Sequence, residues 1–358
     1  MFILWSAFIA FVFAMLALDL GVFHRHSHVV SVKEAAIWST VWICLGLAFS
    51  IFIYFAYDGQ WFGLGTVPDP VDGVINTGRT AAIKYLTGYV VEKSLSIDNI
   101  FVIAMIFGSF GVPPMYQHRV LFWGVVGALV LRGVMIGAGA ALVARFHWIL
   151  LVFGAFLLFA GLKLLFTKEK EQEGEHFLVK FLSKYIPMTQ GFHGQHFIVR
   201  AGSAASHEPA VPGEAAVEDL AVESAKPNRI LFTPLALALI VVEFSDIVFA
   251  VDSIPAIFAI TGEAFIVFTS NIFAIMGLRS LFFLLAGMID KFRYIKKALA
   301  FVLLLVGFKI IFADWLRTIL GEHFNLILLG LILFILSLGV VASLLFPQKA
   351  TKDSNEAG

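Results

Sequence analysis

The stretch "YVVEKSLSIDNIFVIAMIF", residues 89–107, carries charged side chains inside a segment that is otherwise hydrophobic enough to lie in a membrane. It contains Glu92, Lys93 and Asp98, and Asn99 follows directly. A charge at the centre of a bilayer costs at least about 2.5–3.5 kcal/mol on insertion scales. The hydrophobic surroundings predict a membrane-embedded fold. The charges kept there at such a cost predict where its functional site lies.

The composition of the whole chain predicts a polytopic membrane protein. Of its 358 residues, 60% are hydrophobic and 14% are charged, and the mean hydropathy is +0.92. Soluble domains are about one quarter charged. We predict an all-α fold of about nine transmembrane helices, because the apolar runs are long enough to cross about 30 Å of hydrocarbon. They are placed at residues 1–22, 36–57, 79–110, 119–144, 148–166, 231–260, 264–289, 297–313 and 324–346. The first lacks the features of a cleaved signal peptide and is interpreted as a retained helix.

Basic residues are distributed unequally between the loops on the two sides of these helices. One side holds sixteen Lys and Arg residues and the other holds three. The positive-inside rule therefore predicts a periplasmic N-terminus and a cytoplasmic C-terminus. The long cytoplasmic segment is expected to begin with a short helix and a β-hairpin, followed by a flexible Ala- and Glu-rich insert at 202–226. Four of its histidines are expected to be solvated: His176, His193, His196 and His207.

Motifs of the opening stretch recur later in the chain. "VVEKS" at 90–94 returns as "VVEFS" at 241–245, and "DNIF" at 98–101 returns as "DIVF" at 246–249. The match extends to the helices that follow, since "LRG" recurs as "LRS" and "GLKLLF" as "GFKIIF". The loop charges give the two units opposite orientations. We therefore predict two inverted three-helix repeats, an arrangement that many secondary transporters share.

The repeats divide the chain into five predicted parts. Repeat 1 covers 76–166 and repeat 2 covers 231–313. Residues 1–75 supply two helices and an extracytoplasmic loop, 167–230 form the cytoplasmic loop with its flexible insert, and 314–358 hold the last helix and a cytoplasmic tail.

Carboxylates and amides on the first helix of each repeat predict a cation site. The predicted ligands are Glu92, Asp98, Asn99, Glu243, Asp246 and Asp252. Oxygen ligands of this type favour a hard divalent cation, and the absence of Cys and His from these helices argues against copper and zinc. Ligand type alone does not separate Mn²⁺ from Mg²⁺ or Ca²⁺. Pro255 is expected to break or kink the helix beside Asp252, because proline removes a backbone donor.

Embedded basic residues are expected to neutralise or gate these carboxylates. They are Arg132 and Lys163 in the first repeat and Arg279 and Lys309 in the second. The alternative is a set of internal salt bridges that only hold the helices together. Buried ion pairs contribute little stability, because desolvation often exceeds the attraction, so a functional site is the better interpretation.

Four motifs together resemble the TerC family, in particular its Alx-type bacterial members, within the wider LysE-like transporter superfamily. They are "LALDLGVFHR" at 16–25, "VEKSLSIDNIFV" at 91–102, "EFSDIVFAVDSIPAIFAIT" at 243–261 and "TSNIFAIMGLRSLFFLL" at 269–285. The resemblance implies manganese export across the bacterial inner membrane, with links to tellurium resistance and redox stress. It also implies that the five carboxylates named above are the residues that matter.

We therefore expect a secondary transporter rather than an enzyme, with Mn²⁺ as the exported ion and no tightly bound cofactor. The expected partners are a divalent metal ion and the lipid bilayer, with protons as a candidate coupling ion and no nucleic acid. The oligomeric state is left open. The alternative is a membrane scaffold, or a redox or tellurite-stress modulator without transport activity. The single cysteine, Cys44, excludes a CxxC redox pair.

Overall fold

Long α-helices make up most of the protein. The computed structural model describes residues 2–21, 30–146, 148–166, 187–209, 219–226, 228–285, 294–320 and 324–345. The helices are α1 (Phe2–Gly21), α2 (Val32–Asp58), α3 (Gly78–Phe110), α4 (Pro114–Arg145), α5 (Ile149–Phe166), α6 (Leu220–Glu223), α7 (Pro234–Phe258), α8 (Ala264–Met276), α9 (Leu278–Leu285), α10 (Ile295–Ile311), α11 (Ala313–Leu320) and α12 (Phe324–Leu345). The chain is an all-α polytopic membrane protein, as predicted.

Not every helix meets a simple criterion for a membrane span. Among the described residues, α2, α4, α5, α7 and α12 are long and apolar enough to cross a bilayer, and the bent pair α8–α9 makes a sixth span if it is counted as one. Helix α1 is apolar but has a shorter apolar stretch, and α3 carries the embedded charges. The count of nine transmembrane helices stays a prediction, and so do the repeats.

Local sequence signals set the ends of the helices that carry the site. Thr77 and Thr80 form a reciprocal capping box at the start of α3, which satisfies backbone donors that the first turn leaves free. Gly111 ends α3 with a φ of 61°, a conformation that glycine adopts at little cost. Thr233 caps α7, and Pro234 occupies its first position.

The break in the helices lies at a different place from the predicted one. Helix α7 continues through Pro255 to Phe258, so the expected break beside Asp252 is absent. The predicted helix 264–289 is instead bent by 41° between α8 and α9, at Gly277. Lys93 Nζ donates to the Ala274 carbonyl oxygen at 3.0 Å beside this bend. A side chain at Gly277 would meet that ammonium group, so glycine is required for the contact.

Helix packing brings the charged residues of α3, α4 and α7 against neighbouring helices. Helix α3 packs against α7 and α8, and α4 packs against the same two helices. Helix α5 packs along α10, α2 covers α3 and α9, and α12 covers α10 and α3. The first helix of each predicted repeat therefore lies in the interior of the bundle, where its polar side chains face other helices.

Two short strands mark one end of the bundle, which we call the strand end. Strand β1 (Ile198–Arg200) pairs antiparallel with β2 (Ile230–Phe232), so the sheet joins the two ends of the long segment and is not the local hairpin predicted. Thr233 Oγ1 donates to the His196 carbonyl oxygen at 2.7 Å, which fixes the segment to the start of α7. Arg119 of α4 lies 5.4 Å above the Phe197 ring. Of the predicted insert, residues 202–209 and 219–226 are described, and 210–218 lie outside the described residues.

Asp219 organises the segment at the strand end. Its carboxylate accepts hydrogen bonds from the backbone N–H groups of Gln190, Gly191 and Ala221, and His193 Nε2 lies 3.2 Å from Asp219 Oδ2. His193 is buried, so the expectation of a solvated side chain is wrong for this residue. His196 does face solvent, in an ion pair with Glu208. His176 and the side chain of His207 lie outside the described residues.

Acidification is expected to loosen this segment through Asp219. Burial acts to raise the pKa of Asp219, but the hydrogen bonds from Gly191, Gln190 and His193 outweigh it and lower the pKa. The stabilisation is therefore present above the unfolded pKa of about 3.9 and is lost as pH falls through the lower folded value. The protection factors of the Gln190 and Gly191 amides, corrected for the intrinsic pH dependence of exchange, should fall over that range. Asp219→Asn should raise exchange at neutral pH and remove the dependence, and protection that is independent of pH in the wild type would contradict this assignment.

Candidate carboxylate–arginine site

Arg132 lies at the centre of the buried ionisable residues. From α4, its guanidinium pairs with Asp246 of α7, with Nη2 to Oδ1 at 3.0 Å and Nε to Oδ2 at 3.2 Å. Its Nη1 also donates to Glu92 Oε1 of α3. Arg132 and Glu92 are only 1% and 0% exposed, so the pairs are shielded from water. One arginine thus joins a carboxylate from each predicted repeat, in the position expected for a charge partner.

Two neutral side chains complete the surroundings of Arg132. Ser253 Oγ and Asn271 Oδ1 each accept from its Nη1 at 3.3 Å. The sequence signal for Ser253 was weak, because a serine in an apolar helix usually bonds to its own backbone. The arginine is well supplied with acceptors, whereas Glu92 Oε2 has no hydrogen-bond partner in the described part of the chain.

A cavity of about 520 Å³ opens beside this cluster. It lies between α3, α5, α7 and α10, and six of the ten predicted site residues line it: Glu92, Asp98, Asn99, Arg132, Lys163 and Asp252. The remaining walls are mostly Phe, Leu, Ile and Val. The lining residues come from the halves of α3 and α5 nearer the strand end and from the half of α7 farther from it, so the cavity lies near the middle of the bundle. The structure therefore brings most of the predicted site to a single space.

Oxygen atoms in this cavity lack partners. Asp98 Oδ1 and Asn99 Oδ1 are buried without a hydrogen-bond partner among the residues that the structure describes, as is Glu92 Oε2. Buried oxygens are almost always satisfied, by protein, water or a bound ion, so each requires an explanation. A hard cation takes carboxylate and amide oxygens as ligands. The cavity therefore presents donor atoms suited to such an ion.

Basic residues face two of the cavity carboxylates. Lys163 of α5 acts electrostatically on Asp252 of α7 across the cavity. Lys296 of α10 acts on Asp98, and its ammonium lies 5.9 Å from the Phe101 ring centroid. The sequence placed Lys296 in a basic loop, because it follows other basic residues near a helix start. Its link to Asp98 could not be seen without the packing of α10 against α3.

Glu243 lies apart from the cavity, between α7 and α4. Its carboxylate packs against Gly127, where an added Cβ would collide with all three carboxylate atoms. Glu243 Oε2 is a further buried oxygen without a partner in the described residues. No sequence signal marked Gly127, which belongs to no motif.

Gly127→Ala is expected to displace the Glu243 carboxylate. Overpacking of this kind costs typically about 1–3 kcal/mol, because backbone or side chains must shift. We expect a lower unfolding midpoint in detergent than that of the wild type. Gly137→Ala on the same helix is the matched control, since an added Cβ there meets nothing within 4 Å. Equal stability of the two variants would show that Glu243 moves freely.

Arg279 and Lys309 do not join the Arg132 cluster. Arg279 is buried on α9 and lines a small void of about 10 Å³ with Trp38 and Trp42 of α2. Lys309 Nζ donates to the carbonyl oxygens of Ala259 and Ile260, just after α7 ends. A cation at that point compensates the partial negative charge of the helix C-terminus. Their predicted role towards the carboxylates stays a prediction.

The carboxylates are not gathered into a ready-made metal site. Within the described ranges, no three His, Cys, Asp or Glu residues converge in a way that could hold a metal ion. The physical reason is visible at Arg132, whose guanidinium lies between Glu92 and Asp246. Any cation held by several of these carboxylates would require the arginine to move.

A second buried ion-pair network lies at the opposite end of the bundle. Asp69, 0% exposed, pairs with Lys84 of α3 at 2.8 Å. Its carboxylate also accepts from the Thr261 hydroxyl and, at 2.8 Å, from the Gly262 N–H. Asn76 Oδ1 accepts from Lys84 Nζ at 2.6 Å. We call these five residues the latch and this end of the bundle the latch end.

The latch fixes the loop before α3 to the turn between α7 and α8. Burial acts to raise the pKa of Asp69, but the Lys84 ammonium and the hydrogen bonds from Thr261 and Val71 outweigh it and lower the pKa. Asp69 is therefore held as a carboxylate. Lys84 also pairs with Asp72 at 2.8 Å. The sequence showed these residues only as acidic loop positions and one embedded lysine.

The fold and the site together define a multi-pass α-helical membrane protein with a buried carboxylate–arginine site. Residues 77–352 match the family described as "Integral membrane protein TerC family". The chain belongs to the TerC family of integral membrane proteins, as the motifs indicated.

Similar proteins align over nearly the whole chain. The "Uncharacterized membrane protein STKORF319" of Myxococcus xanthus is 48% identical over 88% of this chain and 85% of its own length. The "Putative membrane-bound redox modulator Alx" of Salmonella typhi is 41% identical over 92% of this chain and 93% of its own. The protein of the same name from Escherichia coli K12 is 40% identical over 92% and 94%. No solved structure matches the chain.

Proposed function

We propose that this protein is a secondary transporter that exports a divalent cation, most readily Mn²⁺, across the bacterial inner membrane. The observation that carries the proposal is the set of carboxylate and amide oxygens that face the cavity, from Glu92, Asp98 and Asn99, without a hydrogen-bond partner among the described residues. A purely structural network would satisfy these atoms, because leaving a buried polar atom unpaired costs about 1–3 kcal/mol. A transported ion supplies the missing partner.

The choice of ion rests on ligand chemistry and on the family resemblance. Oxygen ligands alone accommodate Mn²⁺, Mg²⁺ and Ca²⁺. The resemblance to manganese exporters among the TerC proteins favours Mn²⁺. Carboxylates must be deprotonated to bind a metal, so ion release and proton uptake can be linked at the same residues. We propose protons as the coupling ion on this ground.

The latch end of the bundle is closed. The cavity lies near the middle of the bundle, and the buried network around Asp69, with packed apolar residues such as Ile257 and Phe258, separates it from that end. The strand end carries most of the basic loop residues, so we propose that it faces the cytoplasm. On this orientation the N-terminus is periplasmic, and we propose that the closed latch end makes this an inward-facing state.

Mn²⁺ flux in reconstituted vesicles tests the proposal. Asp98→Asn removes one charge from the cavity while keeping its shape, and we expect the initial rate to fall by about tenfold or more, the effect of about 1.4 kcal/mol. Glu223→Gln, at an exposed position of α6, is the matched control and should transport at the wild-type rate. Full flux in Asp98→Asn would refute the cavity as the pathway. Flux that ignores an imposed pH gradient would remove the proton coupling alone.

A redox role without transport is the second candidate, because several relatives bear the name of a redox modulator. Any thiol chemistry would have to use Cys44, the single cysteine. It lies exposed on α2. Cys44→Ser should leave Mn²⁺ flux unchanged under the transporter proposal. Loss of function in Cys44→Ser, with no flux in the wild type, would favour the redox role.

A further inference from the structure

Arg132 binds carboxylates that belong to different predicted repeats. Glu92 comes from the first repeat and Asp246 from the second. The sequence matches equate Glu92 with Glu243 and Asp246 with Asp98. If the two repeats are exchanged, the two carboxylates that Arg132 binds correspond to Glu243 and Asp98.

Each carboxylate of the exchanged pair has one oxygen without a hydrogen-bond partner in the described part of the chain, as does Glu92 of the occupied pair. Glu243 Oε2 and Asp98 Oδ1 are both buried without a hydrogen-bond partner among the described residues. The sequence matches also equate Arg132 with Arg279. The same exchange therefore makes Arg279 the arginine that corresponds to Glu243 and Asp98.

The helix packing is compatible with such an exchange. Exchanging the repeats swaps α3 with α7, α4 with α8–α9, and α5 with α10. The contact of α3 with α8 then becomes the contact of α7 with α4, and both are extensive. The contacts of α3 with α7, α4 with α8, and α5 with α10 map onto themselves and are also present. These main contacts are retained by the exchange, although the ion pairs are not.

Arg279 is placed where a modest movement would reach the site. It follows the 41° bend at Gly277, on a helix that packs against both α3 and α4. Its neighbour Leu278 already lines a small void of about 20 Å³ together with Asn99 and Asp246. A change in the angle at Gly277 would move Arg279 relative to α3, the helix that carries Asp98.

We propose that Arg279 replaces Arg132 as the bound arginine when the transporter opens towards the latch end. Arg279 then pairs with Glu243 and Asp98 and displaces the cation held at Asp98, while Arg132 releases Glu92 and Asp246. The inference rests on the proposed transport and adds its switching device. Because a different arginine binds one carboxylate of each repeat in each state, the carboxylates that remain for the cation also differ between the states.

The test measures which side of the membrane reaches the site. In a Cys44→Ser background, Ala160→Cys reports the cavity, and Ala256→Cys, now fully buried, reports the closed region beyond Asp252. Membrane-impermeant thiol reagents are applied from each side. Arg279→Gln should trap the present state, raising Ala160→Cys labelling severalfold and lowering that of Ala256→Cys. Arg132→Gln should produce the opposite shifts.

Milder variants protect the test against loss of folding. Glu243→Gln should act in the direction of Arg279→Gln, and Asp246→Asn in the direction of Arg132→Gln. Lys33→Gln, an exposed position on α2, should leave both labelling rates unchanged. Opposite shifts from the two pairs support the alternation. Shifts in the same direction, or no shifts, overturn it.

The outcome separates this inference from the proposed cargo. Labelling is measured without any cation, whereas the cargo is tested by Mn²⁺ flux. Reciprocal labelling without Mn²⁺ flux would keep the alternation and refute the manganese assignment. Mn²⁺ flux with labelling that is not reciprocal would keep the transporter and refute the arginine exchange.

Discussion

Arg132→Met should destabilise the protein by about 3–5 kcal/mol, the range measured when one partner of a buried ion pair is removed. The substitution leaves Glu92 and Asp246 close together, buried and without their shared cation. The unfolding midpoint in detergent is the measurement. Arg229→Met, at an exposed position at the strand end, should change stability by no more than about 0.5 kcal/mol.

A compensating variant tests the electrostatic cause. Adding Glu92→Gln and Asp246→Asn to Arg132→Met removes the two charges that the arginine neutralised, so most of the lost stability should return. Transport should not return, because the cation ligands are gone. An Arg132→Met variant as stable as the wild type would show that the buried ion pairs of Arg132 do not stabilise the fold.

Lys84→Met should have an effect of similar size at the latch end. It leaves Asp69 fully buried with its remaining donors from Thr261 and Gly262, which cannot replace a cation. We expect a loss of about 3 kcal/mol or more, together with faster proteolysis of the loop before α3. Adding Asp69→Asn should recover part of the loss. Lys33→Met, at an exposed position near the start of α2, is the control.

Two results for Lys84→Met would contradict this prediction. If the loop stayed protected and the protein kept its stability, the latch would be an incidental contact. If stability fell but the loop stayed protected, the network would support α3 alone and would not fix the loop. Measuring both quantities on the same variant therefore distinguishes closure of this end from local support.

The sequence was sufficient for the fold class, and it singled out most of the residues that the structure brings to the candidate site. Charges at Glu92, Asp98 and Asp252 were informative because each is costly in a membrane, so their positions were unlikely to be accidental. Arg132 followed from its recurrence as Arg279. The structure places six of the ten predicted residues around one cavity and joins Asp246 to them through Arg132.

What the sequence missed depended on contacts between distant segments. The sequence did not show that the chain bends at Gly277 and not at Pro255. Proline near the end of a helix can be tolerated, and a glycine inside a helix does not by itself bend it. Gly127 carried no signal until Glu243 was seen against it. His193 resembled any loop histidine until Asp219, 26 residues later, was found beside it.

The latch also has a consequence for how the protein is made. Asp69 and Thr261, whose hydroxyl it binds, are separated by 192 residues. At about 5–20 residues per second, ribosomes would need roughly 10–40 s to synthesise that interval. During this time the loop before α3 must wait at the membrane surface with Asp69 lacking its later partners. Closure of this end is therefore a late event in biogenesis, and an insertion intermediate would still be open there when half of the helices are already in place.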